Sequence, residues 1–101
     1  MSIYGHDAAM LEGFAEEAAE LAHAALKVAR VIREENPTPV TYEEARARLT
    51  EELADVLLYE WVVREQLHIP LHDVSAVMLA KHQRWMERLE GRNDRQGTSA
   101  E

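Results

Sequence analysis

Three prolines, confined to two places, decide most of what this chain can become. Asn36-Pro37-Thr38-Pro39 and Pro70 interrupt a sequence otherwise rich in helix formers, with fifteen alanines, four glycines and a single Phe. Proline donates no backbone hydrogen bond and pushes the residue before it out of the helical region, so helices end at both places. No stretch sustains the period-two alternation of a half-buried strand. The chain therefore reads as all-α, with one small domain over residues 1–90 of its 101. Residues 91–101, GRNDRQGTSAE, lack large apolar side chains and are expected to form a flexible C-terminal tail.

The first helix is expected from about His6 to Glu35. Leu11, Phe14, Ala18, Leu21, Ala25, Val28 and Ile32 form its inward seam at alternating three- and four-residue spacing. Thr41-Tyr42-Glu43-Glu44 has the capping-box pattern, so the second helix starts near Tyr42. Its expected seam is Ala45, Leu49, Leu53, Val56, Leu57, Val63 and Leu67, while Leu58, Trp61 and Val62 add a second apolar surface on the far side. The third helix is expected from Leu71 to Leu89, with Leu71, Val74, Val77, Met78, Trp85 and Leu89 inward. A short connection makes the first two helices an antiparallel hairpin. A helix apolar on two sides needs two neighbours, which one chain of this size hardly supplies. The expected architecture is thus an antiparallel helical hairpin plus a third helix, assembling into an oligomeric four-helix-bundle-type core.

The net charge of −8 argues against a nucleic acid polymer as partner, because affinity for a phosphate backbone comes from Lys and Arg. Cysteine is absent, so any metal must bind through oxygen or nitrogen. No segment approaches the ~18 uninterrupted apolar residues of a membrane span, and MSIYGHDAAM lacks the basic and apolar regions of a signal peptide. A cytoplasmic protein without a membrane partner is the expectation.

Within this frame two acidic motifs stand out. Glu16-Glu17-Ala18-Ala19-Glu20 and Glu51-Glu52-Leu53-Ala54-Asp55 each place carboxylates at i and i+3 beside apolar residues. Acids at that spacing are neighbours on a helix and repel unless a cation lies between them. Surface decoration of an acidic protein accounts for any one such motif. Two of them say more. At ~100° per residue, Glu17 and Glu52 lie about 60° off their seams and Glu20 and Asp55 about 120° off, in the same sense of rotation. In an antiparallel pair such offsets emerge on one side, so the four carboxylates are expected to converge, and a hard ion such as Mg²⁺ suits an all-oxygen site. Lys81 interrupts the apolar seam of the third helix, with Arg84 and Arg88 on its shoulder. It either lines the core rim with its aliphatic stem or, with the two arginines, clamps a phosphate.

At these residues the chain resembles the all-α nucleoside triphosphate pyrophosphohydrolases, the MazG-like proteins, over roughly residues 11 to 90. The family pattern EExxE followed by ExxD reads here EEAAE at Glu16 to Glu20 and EELAD at Glu51 to Asp55, continued by Val56-Leu57-Leu58-Tyr59. Lys81 and Arg88 match a lysine and arginine of the next helix, while Trp85 stands where the family usually has Asn. The resemblance implies a homodimer or homotetramer in which Glu17, Glu20, Glu52 and Asp55 bind Mg²⁺. It also implies hydrolysis of a nucleoside or deoxynucleoside triphosphate to the monophosphate and pyrophosphate. Glu17 or Glu20 would accept the proton of the attacking water, with Lys81 stabilising charge. Tyr59 and Trp85 are candidates for contact with the base, or alternatively core aromatics. Two other readings stand beside this one. Glu20…His23 and Glu65…His68 are both ExxH, the element of di-iron carboxylate bundles, though the second lies at a helix end. A non-catalytic helical interaction module would keep the oligomer and release no pyrophosphate.

Overall fold

A computed structural model of the chain describes residues 3–35 and 39–100, with side chains described over 7–35 and 39–92. Its elements are α1 (Ile3–Ile32), α2 (Tyr42–Leu67) and α3 (Leu71–Ala100), and no strand occurs among the described residues. The expected breaker Asn36-Pro37-Thr38 lies outside the described residues. Two compact units divide the chain, Met1–His68 with the first two helices and Ile69–Glu101 with the third.

Local chemistry sets the helix ends. Beyond Ile32, Glu35 N–H donates to the Arg30 carbonyl at 2.9 Å and Glu34 N–H to the Val31 carbonyl at 3.1 Å. These paired bonds close a Schellman motif, with Glu34 at φ 60° where glycine is usual. At the start of α2, Thr41 accepts the Glu44 N–H on its hydroxyl at 3.1 Å, as the capping pattern predicts. The far end turns through His68, left-handed at φ 56°, whose N–H reaches the Arg64 carbonyl. Pro70 then opens α3, its carbonyl accepting from Asp73 N–H at 3.0 Å. The backbone of α3 stays helical through Ala100, past Gly91 where the residue pattern had ended it. A nucleated helix gains one hydrogen bond for each residue it adds, which outlasts the loss of apolar periodicity.

The two helices of the first unit run antiparallel. Gly13 lies against Tyr59, Glu17 and Glu20 meet Glu52, and Lys27 shares a groove with Glu44 and Arg48, so the α2 number falls as the α1 number rises. Their seam differs from the expected one. On α1 the buried or half-buried face is Met10, Phe14, Glu17, Leu21, Ala24, Val28 and Val31, whereas Leu11, Ala18, Ala25 and Ile32 are exposed. On α2 it is Ala45, Leu49, Glu52, Val56, Tyr59, Val63 and Gln66, whereas Leu53, Leu57 and Leu67 are exposed. Each helix is turned by about 50° from the expected facing, in the same sense, because the i+3 partners of the shared positions point inward instead of the i+4 partners. Both sets keep seam spacing, and only the mating of two surfaces selects between them. The rotation moves two glutamates into the hairpin and leaves a leucine-rich face outside. Leu58 and Trp61 of the expected second surface are exposed as well, and Val62 is half-buried.

Within the second unit, Val74 and Leu89 are half-buried, but Leu71, Val77, Met78 and Trp85 are exposed rather than inward. No helix among the described residues is long and apolar enough to cross a membrane.

Candidate metal centre

Glu17 and Glu20 are one turn apart on α1, and Glu52 faces them from α2. One carboxylate oxygen from each of the three lies within 4.8 Å of the others. Three of the four carboxylates expected to converge lie together, and their location differs from the expected one. Glu17 and Glu52 stand in the seam itself, half-buried and buried respectively, while Glu20 is exposed at its edge. Asp55, one turn further along α2, is exposed and outside this close group, though its charge acts on both Glu17 and Glu52.

Glu52 is the most confined of these groups, at 2% exposure. Arg48, one turn earlier, donates from Nη2 to Glu52 Oε1 at 2.8 Å and keeps 61% of its own side chain exposed. Glu52 Oε2 and Glu17 Oε2 are buried without a hydrogen-bond partner. Buried carboxylate oxygens left unpaired are costly. Burial raises the pKa of Glu17 above the ordinary 4.5, and the neighbouring charges of Glu20, Asp55 and Glu52 raise it further. Burial likewise raises Glu52, with Arg48 opposing and Glu20 and Asp55 reinforcing the shift. Arg48 therefore offsets only part of the crowded charge. The donor set is all carboxylate oxygen, with two buried lone-pair sites open, and this is what a hard divalent cation requires.

Tyr59 lies in the seam beside Gly13. A Cβ on residue 13 would stand 2.7 Å from Tyr59 Cε1 and 2.8 Å from its hydroxyl, so the glycine makes room for the ring. Lys81, Arg84, Trp85 and Arg88 are exposed on α3. Lys81 borders an apolar groove of about 410 Å³ with Val74, Val77 and Met78. Arg84 and Arg88 flank a second shallow groove with Glu87.

The three-carboxylate group contains no histidine. His68 caps α2 sixteen residues after Glu52, about 24 Å along the helix, so the second ExxH does not join the cluster. Arg48 escaped the residue-level reading although its spacing to Glu52, i to i+4 with opposite charge, is the ordinary signature of a helical ion pair. The same holds for the groove that Arg48 borders. Glu20, His23, Lys27, Glu44 and Arg48 surround a volume of about 400 Å³ between α1 and α2, floored by Ala24 and Ala45.

Residues 6–89 match the family model described as the MazG nucleotide pyrophosphohydrolase domain. No curated protein and no solved structure matches the chain.

Proposed function

The chain belongs to the MazG nucleotide pyrophosphohydrolase family, and from that premise we propose that it hydrolyses a nucleoside or deoxynucleoside triphosphate of the cytoplasm to the monophosphate and pyrophosphate, with Mg²⁺ as cofactor. Glu52 carries this reading. A carboxylate that is 2% exposed, with one oxygen on Arg48 and the other without a partner, stands among further carboxylates where a bound cation relieves the repulsion without protonating them.

Glu17, Glu20 and Glu52 hold the cation, and Asp55 completes the set from the next turn of α2. When bound there, a hard divalent ion supplies positive charge against the polyphosphate and acidifies water. Glu17 or Glu20 takes the proton of the attacking water on a carboxylate oxygen. The water oxygen bonds to the α-phosphorus, the bond from that phosphorus to the bridging oxygen breaks, and its electron pair leaves with pyrophosphate. Lys81, Arg84 and Arg88 remain the candidate contacts for phosphate, and Tyr59 and Trp85 the aromatic candidates for the base. The exposed Leu11, Leu53, Leu57 and Trp61 support burial of this face in a homodimer or homotetramer, since an apolar stripe of that extent is unfavourable in water.

The test is release of pyrophosphate from each NTP and dNTP, with and without Mg²⁺. Metal-dependent formation of monophosphate and pyrophosphate, lost in Glu52→Gln, is the expected result. Absence of pyrophosphate release from every nucleotide, with the protein folded and Mg²⁺ present, would overturn the reading in favour of a non-catalytic module.

A further inference from the structure

The exposed apolar side of α1 has a symmetry that its buried side lacks. A residue one step after a seam position is turned by ~100° from it. On α1 these residues form a row that begins at Leu11 and ends at Ile32, which are 40% and 65% exposed. Between them stand Ala15, Ala18, Ala22, Ala25 and Ala29, all exposed except the half-buried Ala29. On α2, Leu53 and Leu57 follow Glu52 and Val56 by the same single step, so apolar surface of both helices emerges on one side of the hairpin. Glu20 and Asp55 stand one step before Leu21 and Val56 and emerge on the opposite side.

The row of α1 is the same from either end, a large residue, five alanines and a large residue. Such a surface is complementary to an antiparallel copy of itself, with a two-fold axis beside Ala22. Leu11 then meets the partner's Ile32, Ala15 the partner's Ala29 and Ala18 the partner's Ala25. Alanines at the centre let the helices approach to the short end of the usual ~8–10 Å interaxial range. The charges along the edge obey the same axis. Glu12 and Arg30 are eighteen residues apart, about five full turns, so they project from one edge of α1, with Arg33 a turn beyond. The axis beside Ala22 sets Glu12 level with the stretch between the partner's Arg30 and the partner's Arg33. All three side chains are exposed, and among the described residues none of them has an ion-pair partner. A parallel copy would instead set like charges level with each other, which opposes that arrangement.

We propose that α1 docks on α1 of a second copy in this antiparallel register, with Leu11 against Ile32 at each end and Glu12 paired to Arg30 and Arg33 along the rim. The proposal deepens the assembly within the proposed function and rests on it. Leu53 and Leu57 extend the covered face at its flank. Because Glu20 and Asp55 emerge on the other side of the hairpin, the pairing leaves each acid group turned away from the partner, and each copy keeps its own centre open to substrate.

The chain contains no cysteine, so single introduced cysteines report the register without background. Ala22→Cys should give a disulfide-linked dimer on mild oxidation of the full chain, because residue 22 meets its own copy across the axis. Ala15→Cys should give none, since its two copies lie roughly 20 Å apart along the helices, far beyond disulfide reach. Sedimentation gives an independent measure. Glu12→Arg should raise the dimer Kd about tenfold, because a rim pair is worth roughly threefold and the symmetry imposes the change twice. Glu12→Arg combined with Arg30→Glu and Arg33→Glu should return the Kd to within about threefold of wild type. Melting curves establish that each variant is folded, and if a charge variant is not, the two cysteine variants decide. Equal cross-linking at residues 15 and 22, as a parallel pair gives, overturns the proposal, and so does a Kd unmoved by Glu12→Arg. An assembled chain in which Ala22→Cys stays unlinked sinks this pairing but keeps the oligomer, whereas a wild type monomeric at tens of micromolar removes both. Pyrophosphate release without the cross-link leaves the enzymatic reading standing, and the cross-link without release from any triphosphate leaves the pairing standing.

Discussion

Replacing Glu52 by Gln removes one charge from the most confined position of the acid group while keeping its shape. The wild-type fold holds carboxylate oxygens of Glu17, Glu20 and Glu52 within 4.8 Å of one another, with Arg48 as the counter-charge to Glu52. Glu52→Gln relieves that crowding, so it should melt no lower than wild type in EDTA. A cation that binds only the native state adds RT ln(1 + [L]/Kd), about 2.7 kcal/mol at a hundredfold excess over Kd. For a domain of this size that corresponds to a rise of roughly 10–20 °C. The variant should lose most of this rise. Proton linkage gives a second readout of the same group. Glu17 and Glu52 have pKa values raised above 4.5 by burial and crowding, so the metal-free folded state binds protons more readily than the unfolded chain. Their contribution to stability is full below 4.5 and is lost as pH rises through the folded-state values. Wild type in EDTA should therefore gain melting temperature, relative to Glu52→Gln, as pH is lowered through that window. With Mg²⁺ the trend reverses, because protons compete for the carboxylates. Differential scanning calorimetry at matched ionic strength reads both effects. An equal Mg²⁺ response in wild type and variant would refute the reasoning, since screening of scattered surface charge acts on both alike.

Three further outcomes follow from the same structure. Leu57→Asp places a charge in the exposed leucine-rich face of α2, where Leu57 is 62% exposed, and should shift an assembled protein to monomer in light scattering; a wild type already monomeric at tens of micromolar would contradict the assembly. Lys81→Ala, at an exposed site on α3, should lower triphosphate turnover at least tenfold while leaving the melting temperature within about 4 °C, since surface substitutions stay near ±0.5 kcal/mol; undiminished turnover returns Lys81 to the rim of the apolar groove. Glu34→Gly relieves a left-handed residue at φ 60° and should stabilise the hairpin by about 0.5–1 kcal/mol after the entropy cost of glycine, measured as a higher urea midpoint at unchanged m.

Much of this molecule was legible residue by residue because the signals were local. The prolines placed the breaks, Thr41 and Glu44 marked the start of α2, and the i, i+3 carboxylates on two helices of one hairpin announced a cluster before any coordinates. Each depends on chemistry within a few residues of chain, which the sequence alone contains. The facing of the helices does not. Leu11, Ala18, Ala25 and Ile32 have the same spacing as Met10, Glu17, Ala24 and Val31, and hydrophobicity favours the first set. Only the tertiary structure decided for the second, turning Glu17 and Glu52 inward and leaving leucines outside. The preference follows from two-body packing. Ala24 and Ala45 are the small buried residues of the two helices, and Gly13 of α1 admits the Tyr59 ring of α2, which no single helix can express. Sequence thus determined which acids are neighbours along each helix, and the mating of two helices determined that Glu52 is buried and Glu17 half-buried between them.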